Sequence, residues 1–105
     1  MTAQSGSIEG LAIVDVPEAR RYEARFGDVL AGWVDYGRVR MRLVALHTEV
    51  LPEFGGRGIG SALVRYVLDD ARASGFKVTP RCPLFRAHFE RHPEDGDVNS
   101  EHHTE

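Results

Sequence analysis

The sequence predicts one α+β domain, and the spacing of its apolar residues is the reason. In the first half, apolar and polar residues alternate with a period of two, which is typical of half-buried β-strands. After Pro52 the apolar residues recur at the 3.6-residue spacing of a helix. The glycine-rich stretch FGGRGIGSALV, residues 54–64, lies where the two patterns meet. We therefore expect a sheet that leads through a glycine turn into a helix.

The first half is predicted to be an antiparallel meander. Gly27 and Asp28 supply one tight turn, residues 36–38 (Tyr-Gly-Arg) supply a second, and Gly32 marks a bulge. The first strand ends where Pro17 interrupts it. The predicted strands are 11–16, 21–26, 29–36 and 39–50.

The second half is predicted to hold two helices and one short strand. A helix is expected over 58–74, with Gly75 just beyond its last residue, where a left-handed conformation commonly ends helices. A strand over 76–80 follows, and then a helix over 84–92 that stops before Pro93. The apolar stripe of the first helix comprises Ile59, Leu63, Tyr66, Val67 and Ala71. The common face of the second comprises Leu84, Phe85, His88 and Phe89.

Length and composition indicate an ordinary globular domain. The chain has 105 residues, of which 42% are hydrophobic and 28% charged, enough for one modest core. We expect a flexible N-terminus over 1–10, one domain over 11–94, and a disordered acidic tail over 95–105. A single cysteine, Cys82, excludes an internal disulfide, and without an export signal the protein is expected to be cytoplasmic.

Charge and hydropathy exclude two classes of partner. Residues 1–91 carry 13 basic and 11 acidic side chains, which argues against the concentrated basic face that nucleic acid requires. No apolar run approaches the roughly 18 residues of a membrane span. An exposed sheet edge would make a weak homodimer unsurprising, so either a monomer or a weak dimer is expected.

The glycine-rich turn is a candidate anion site. The first N–H groups of a helix have no intrahelical partner, and the helix dipole adds partial positive charge there. Glycines allow a phosphate to reach those N–H groups, and Arg57 adds a full charge. A turn that is rich in glycine for structural reasons alone is the alternative.

Three phosphate-binding patterns were compared with this turn. The P-loop pattern fails because Ser61 stands where it requires lysine, and the dinucleotide pattern GxGxxG fails at Leu63. The pattern [Q/R]xxGxG matches at Gly58 and Gly60, although Gly55 occupies its first position. This last pattern is the pyrophosphate-binding turn of the GNAT acetyltransferases, which use acyl-coenzyme A.

The chain resembles the very small, single-domain members of the GNAT superfamily of N-acetyltransferases. The resemblance runs from about residue 22 to 94 and depends on three stretches: HTEV (47–50), GRGIGSALV (56–64) with LDDAR (68–72), and Cys82-Pro83 with RHPE (91–94). It implies a twisted, mostly antiparallel sheet with helices packed on its faces. It also implies an acyl-CoA cleft between two splayed strands.

The resemblance further implies a coenzyme site. The backbone over 46–50 would pair with the pantetheine arm, and the amides over 55–60 would hold the pyrophosphate. The candidate coenzyme-binding residues are Leu46, Thr48, Val50, Gly55, Gly56, Arg57, Gly58, Ile59, Gly60 and Ser61. Acetyl-CoA is the expected co-substrate, without a metal, and the expected acceptor is an amine on a small molecule or a protein.

Four residues are candidates for the chemistry of acetyl transfer, which needs a base, an acid and stabilisation of an oxyanion. The resemblance places Cys82 near the coenzyme thiol, where it either accepts the acetyl group or only lines the cleft. His47 and Glu49 lie two apart on one strand and share a face, so one is a candidate base or both are solvent-exposed. His88 is a candidate acid or a structural histidine.

The tail invites a metal interpretation that its spacing does not support. The histidines at 92, 102 and 103 and the nearby carboxylates fit no closed zinc or calcium pattern, so a solvated tail is expected. The sequence therefore predicts an acetyl-CoA-dependent N-acetyltransferase. The alternatives are a non-catalytic coenzyme A-binding or regulatory module and a ligand-free interaction domain of the same fold.

Overall fold

A computed structural model describes residues 8–101, which form a five-stranded sheet and two α-helices. The sheet order is β1-β2-β3-β4-β5; the first four strands are antiparallel, and β5 is parallel to β4. The strands are β1 (Leu11–Val16), β2 (Arg21–Phe26), β3 (Val29–Val39), β4 (Arg42–Val50) and β5 (Lys77–Pro80). The helices are α1 (Ile59–Ser74) and α2 (Pro83–Arg91). The predicted α+β class is confirmed.

The second predicted turn is wrong. Residues 36–38 lie inside β3, and the chain reverses at Arg40 and Met41, with Arg40 in the left-handed region at φ +56°. The Tyr36 ring is buried and packs 5.2 Å from the ring of Tyr22, which holds this part of β3 in the sheet. Burial of one aromatic ring therefore outweighs the local turn preference of Gly37.

Two bulges shape the middle of the sheet. Between β2 and β3 the register passes from Ala24↔Gly32 to Arg25↔Leu30, so Ala31 is the extra residue, one position before the predicted one. Gly32 has a separate role, because a Cβ placed there would lie 2.6 Å from the backbone oxygen of Glu49. Only glycine allows β3 to approach β4 this closely.

The second bulge changes which side chains of β4 face the core. The register passes from Asp35↔His47 to Tyr36↔Ala45, so Leu46 is the extra residue on β4. Before it Ala45 faces the core, and after it Thr48 does, because an extra residue reverses the alternation of side chains.

The core lies between α1 and one face of the sheet. The predicted helix and its terminating Gly75, at φ +83°, are confirmed. Tyr66 lies off the buried stripe of α1, with 40% of its surface exposed. The buried residues of α1 are Ile59, Leu63, Val64, Val67, Leu68 and Ala71.

The C-terminal segment belongs to the fold as far as the structure describes it, so the disordered tail predicted from residue 95 is wrong over 95–101. A 3₁₀ helix spans Pro93–Val98, and the amide of Ser100 donates to the carbonyl of Val78 on β5 at 2.9 Å. Composition misled the prediction because Asp95, 4% exposed, is buried among cationic partners. Residues 102–105, and residues 1–7 of the predicted flexible N-terminus, lie outside the described range.

Candidate functional site

β4 and β5, the two parallel strands of the sheet, separate where β4 reaches its second half. The ladder between β4 and β5 ends at the pair Ala45↔Pro80, whereas β4 continues to Val50. The carbonyl of Ala45 accepts hydrogen bonds from the amides of both Arg81 and Cys82, at 3.0 and 2.9 Å. The chain then turns into α2, so residues 46–50 keep a backbone edge that β5 does not pair. We call the resulting gap the β4–β5 cleft.

Cys82 lies at the closed end of this cleft. Its Sγ is 3.3 Å from Oγ1 of Thr48, and only 3% of the residue is exposed. It also precedes the first turn of α2, where its carbonyl accepts the Arg86 amide at 3.1 Å. The thiol is thus fixed between a hydroxyl on β4 and the start of a helix. The contact exists because the Leu46 bulge turns Thr48 inward.

His47 and Glu49 share a face, as predicted, but it is not the face of Cys82. Nε2 of His47 lies 2.9 Å from Oε1 of Glu49, and the side chains are 59% and 43% exposed. Because neighbouring residues of a strand point to opposite sides, this pair lies across β4 from Thr48. Solvent reaches both groups, and neither contacts the thiol.

The glycine turn carries two left-handed residues at the start of α1. Gly56 and Gly58 have φ of +78° and +84°, and a Cβ at either would meet no atom. Backbone conformation, not crowding, therefore requires glycine at these two positions. Gly55 is different, since its φ of −66° suits any residue.

The first turn of α1 presents open backbone donors. Gly58 is the N-cap residue and provides no side-chain cap, and the first intrahelical bond runs from the Ala62 amide to the Gly58 carbonyl at 3.0 Å. The first turn also contains no acidic side chain. The amides before Ala62 thus have no intrahelical partner and lie at the positive end of the helix dipole, two properties that attract anions.

Individual side chains of the turn have distinct surroundings. Ile59 is a buried core residue, whereas Ser61 is exposed. The guanidinium of Arg57 lies 4.8 Å from the ring centroid of Phe26 and 5.6 Å from that of Phe54. These two rings are themselves stacked 5.6 Å apart. The aromatic rings therefore help to hold the cation beside the turn.

Val50 connects the cleft to the turn. A Cβ at Gly60 would lie 3.8 Å from Cγ2 of Val50 and 3.3 Å from Cδ2 of Leu84. Gly60 thus allows α1, β4 and α2 to meet closely at the end of the cleft. Leu46, in contrast, is 50% exposed, so only its backbone is suited to a role in the cleft.

His88 belongs to an ion cluster instead of the cleft. Its Nε2 lies 2.8 Å from Oδ2 of Asp95, which also accepts from Nη1 of Arg65 at 2.9 Å. Oδ1 of Asp95 accepts from Arg65 and Arg72, both at 3.0 Å. The hydrogen bond from Arg65, with those from His88 and Arg72, lowers the pKa of Asp95 far below its ordinary range. We call these four residues the Asp95 cluster, and it favours the structural interpretation of His88.

Two features were not predicted: the Thr48–Cys82 contact in the cleft and the Asp95 cluster outside it. The first could have been found from the alternation in β4, which fits Leu43 and Ala45 but then changes phase before Thr48 and Val50. For the second, the local signal is the seven-residue spacing of Arg65 and Arg72, which places two cations on the same face of one helix, two turns apart. Their common partner is too distant in sequence for any local pattern to reveal.

Within residues 8–101, no group of His, Cys, Asp and Glu side chains is arranged to hold a metal ion. In the same range, no helix combines the length and the apolarity that a membrane crossing requires.

The chain is similar in fold to a solved structure and in sequence to a known protein family. The chain resembles the solution structure of a protein from Staphylococcus aureus described as GCN5-like, with a TM-score of 0.66. The match has 22% sequence identity and covers 92% of this chain and 99% of the other. No curated protein matches the chain significantly. The model of the GCN5-related N-acetyltransferase family matches residues 21–98, which include β2 to β5, both helices and the Asp95 cluster. The chain therefore belongs to the GCN5-related N-acetyltransferase family.

Proposed function

We propose that this protein transfers an acetyl group from acetyl-CoA to an amine acceptor. One observation carries the proposal: the free backbone edge of β4 runs from the Cys82 thiol to the open amides of α1. An elongated molecule with an anionic end and a reactive thioester end fits this arrangement. The pantetheine amides would pair with the β4 edge, and the pyrophosphate would lie at the first turn of α1.

The proposed reaction forms one bond and breaks one. The neutral amine attacks the acetyl carbonyl and forms a C–N bond; the C–S bond then breaks and releases coenzyme A as thiolate. The amine loses one proton to a base, and the thiolate gains one from an acid. The negative charge on the carbonyl oxygen needs a donor such as a backbone amide.

Cys82 has two possible roles in this scheme. In the first, its thiolate accepts the acetyl group and passes it to the amine; in the second, it only lines the cleft beside the thioester. Its burial and its contact with Thr48 suit both roles. His47 and Glu49, on the solvent-exposed side of β4, suit a base that meets an amine arriving from that side. The position of His88 in the Asp95 cluster makes it the weakest of the four candidates.

A charge placed in the first turn of α1 tests the coenzyme site. Ser61→Asp is compatible with the fold, because Ser61 is exposed and an acidic residue there interacts favourably with the helix dipole. It should nevertheless repel the pyrophosphate and weaken acetyl-CoA binding about tenfold or more, since one like charge nearby costs on the order of 1–2 kcal/mol. Isothermal titration calorimetry measures the affinity.

Ala19→Asp is the matched control, because it adds the same charge to an exposed residue outside the turn. Its affinity should equal that of the wild type. Failure of the wild type to bind acetyl-CoA at high micromolar concentration would refute the coenzyme site. Equal affinity of the Ser61→Asp variant would place the pyrophosphate elsewhere.

Mass spectrometry separates the two roles of Cys82. After incubation with acetyl-CoA, the intact mass of the wild type should increase by one acetyl group if the cysteine is acylated, and that of Cys82→Ala should not. Cys82→Ser preserves a hydrogen-bonding group beside Thr48 and controls for packing. An acetyl adduct that persists in both variants would exclude Cys82 as acceptor.

A coenzyme A-binding module without catalysis is the second candidate. The observation that favours it is the separation of the exposed His47–Glu49 pair from the buried thiol. A screen of amine acceptors for release of free coenzyme A distinguishes the two. Binding of acetyl-CoA without release on any amine would favour the module.

The proposal includes a cytoplasmic protein that is a monomer or a weak homodimer. β1 is one of the two edge strands of the sheet and offers an edge for such a dimer. Light scattering over a range of concentrations measures the oligomeric state; a stable assembly at micromolar concentration would contradict this part.

A further inference from the structure

A cavity separate from the β4–β5 cleft lies on the β1 side of the sheet. Its volume is about 280 Å³, and it is lined by Asp15, Pro17, Arg20, Tyr36 and Arg38. These residues belong to β1, β3 and the turn between β1 and β2, and none lines the cleft. We call it the Asp15 cavity. Its volume is near the lower limit of roughly 300 Å³ for small-molecule pockets, which suits a ligand of few atoms.

The acidic part of this cavity is positioned by a buried tyrosine. The hydroxyl of Tyr36 donates to Oδ1 of Asp15 at 2.6 Å, across the intervening strand β2. Burial and this hydrogen bond raise the pKa of Tyr36, so its hydroxyl remains a donor. The second oxygen of Asp15 accepts no hydrogen bond from any residue in 8–101. A fixed carboxylate with one available oxygen therefore faces the cavity.

The basic part consists of two guanidinium groups. Arg20 has a left-handed backbone, with φ +56°, fixed by a bond from its amide to the Pro17 carbonyl and another from the Tyr36 amide to its own carbonyl, both 3.0 Å. The Arg38 guanidinium lies 4.4 Å from the ring centroid of Phe76. Among the ion pairs within residues 8–101, none includes Arg20 or Arg38. Non-glycine residues in this backbone region are uncommon and frequently occur where side-chain placement matters.

We propose that the Asp15 cavity binds a small zwitterion of the α-amino acid type. The carboxylate of the ligand would lie between Arg20 and Arg38, whose planar groups match carboxylate geometry, and its ammonium would bind Asp15. The cavity carries both positive and negative side chains, which favours a zwitterion as ligand. A simple anion would be repelled by Asp15. The site is separate from the acetyl-transfer cleft and does not depend on the proposed function.

Amide NMR titration tests this site in the full-length protein. Glycine and alanine, added to the ¹⁵N-labelled chain, should shift the amides around Arg20 and Tyr36 in a saturable manner. Acetate and methylammonium, each with half of the charge pattern, should bind about tenfold more weakly or worse. Arg20→Gln and Asp15→Asn should each weaken glycine binding by a similar factor, and the same spectra report whether the variants are folded.

Arg40→Gln is the matched control, because Arg40 has the same residue type and the same φ of +56° in a different turn. Its binding should equal that of the wild type. Three results would overturn the proposal: no shift of the wild type at tens of millimolar glycine, equal binding of methylammonium or acetate, or unchanged binding by Arg20→Gln and Asp15→Asn. The wild-type titration alone decides the case if a variant does not fold.

Discussion

Gly32→Ala should destabilise the protein by forcing apart the two strands that form one side of the β4–β5 cleft. The new Cβ would lie 2.6 Å from the Glu49 carbonyl oxygen and 3.3 Å from Cα of Val50. Both contacts are with backbone, so no side-chain rotation relieves them. Overpacking of this kind costs about 1–3 kcal/mol, and we expect the upper half of that range. In a domain of this size, about 2 kcal/mol corresponds to a fall in Tm of roughly 8–16 °C.

Gly37→Ala is the control, since Gly37 lies on the same strand and a Cβ there would meet no atom. This substitution should be neutral or slightly stabilising, by up to about 1 kcal/mol. Thermal unfolding monitored by circular dichroism gives both values. Equal Tm values for the two variants would refute the inference that close strand approach requires glycine at position 32. Weaker acetyl-CoA binding by folded Gly32→Ala would indicate that the displaced Glu49–Val50 segment contributes to the proposed coenzyme site.

Three further substitutions, two of them paired with a control variant, test the elements around the cleft. Phe85→Ala should lower the free energy of unfolding in urea by about 3–5 kcal/mol, because this residue of α2 is fully buried. Glu90 is exposed on the same helix, so Glu90→Ala should change the stability little. Gly58→Ala should cost about 1–2 kcal/mol through its positive φ, and Gly55→Ala much less; equal losses would contradict the conformational reason. Asp95→Asn should cost roughly 1–3 kcal/mol at pH 7. The pKa of Asp95 is lowered in the folded state, so its contribution to the free energy of unfolding is present above about pH 4 and declines as the pH falls further. The stabilities of wild type and variant should therefore converge in acid. A difference in stability that does not change with pH would contradict this linkage.

Elements with a strong local pattern were predictable from the sequence. β1, β2 and α1 have their predicted bounds to within a residue, because Pro17 and Gly75 end elements for reasons that act locally. The prediction of a turn over 36–38 was wrong because this part of the chain is determined by a contact that is distant in sequence. Gly37 is compatible with a strand, and Tyr36 is buried against Tyr22, a residue of another strand. A short stretch of sequence around the glycine gives no sign of this contact.

The candidate site was predictable to a similar extent. The sequence predicts a glycine turn before the helix, whereas the left-handed conformations of Gly56 and Gly58 were found only in the structure. The relation of His47 to Cys82 could not be predicted, because it depends on the extra residue Leu46, which reverses the face of every side chain beyond it. The tail was misjudged because polarity alone does not distinguish a solvated carboxylate from a buried one with partners.

The Asp95 cluster also has a consequence for motion in the cleft wall. Just before its first residue, α2 is attached to the sheet through the Cys82 amide. Near its last turn, His88 attaches it to Asp95 and thereby to α1. A helix held at both ends should exchange its amide hydrogens together with α1, as one cooperative unit. We therefore expect this wall of the cleft to stay in place when a ligand binds, and not to close over it. Ligands would therefore meet a preformed surface, and little conformational entropy would be lost when they bind.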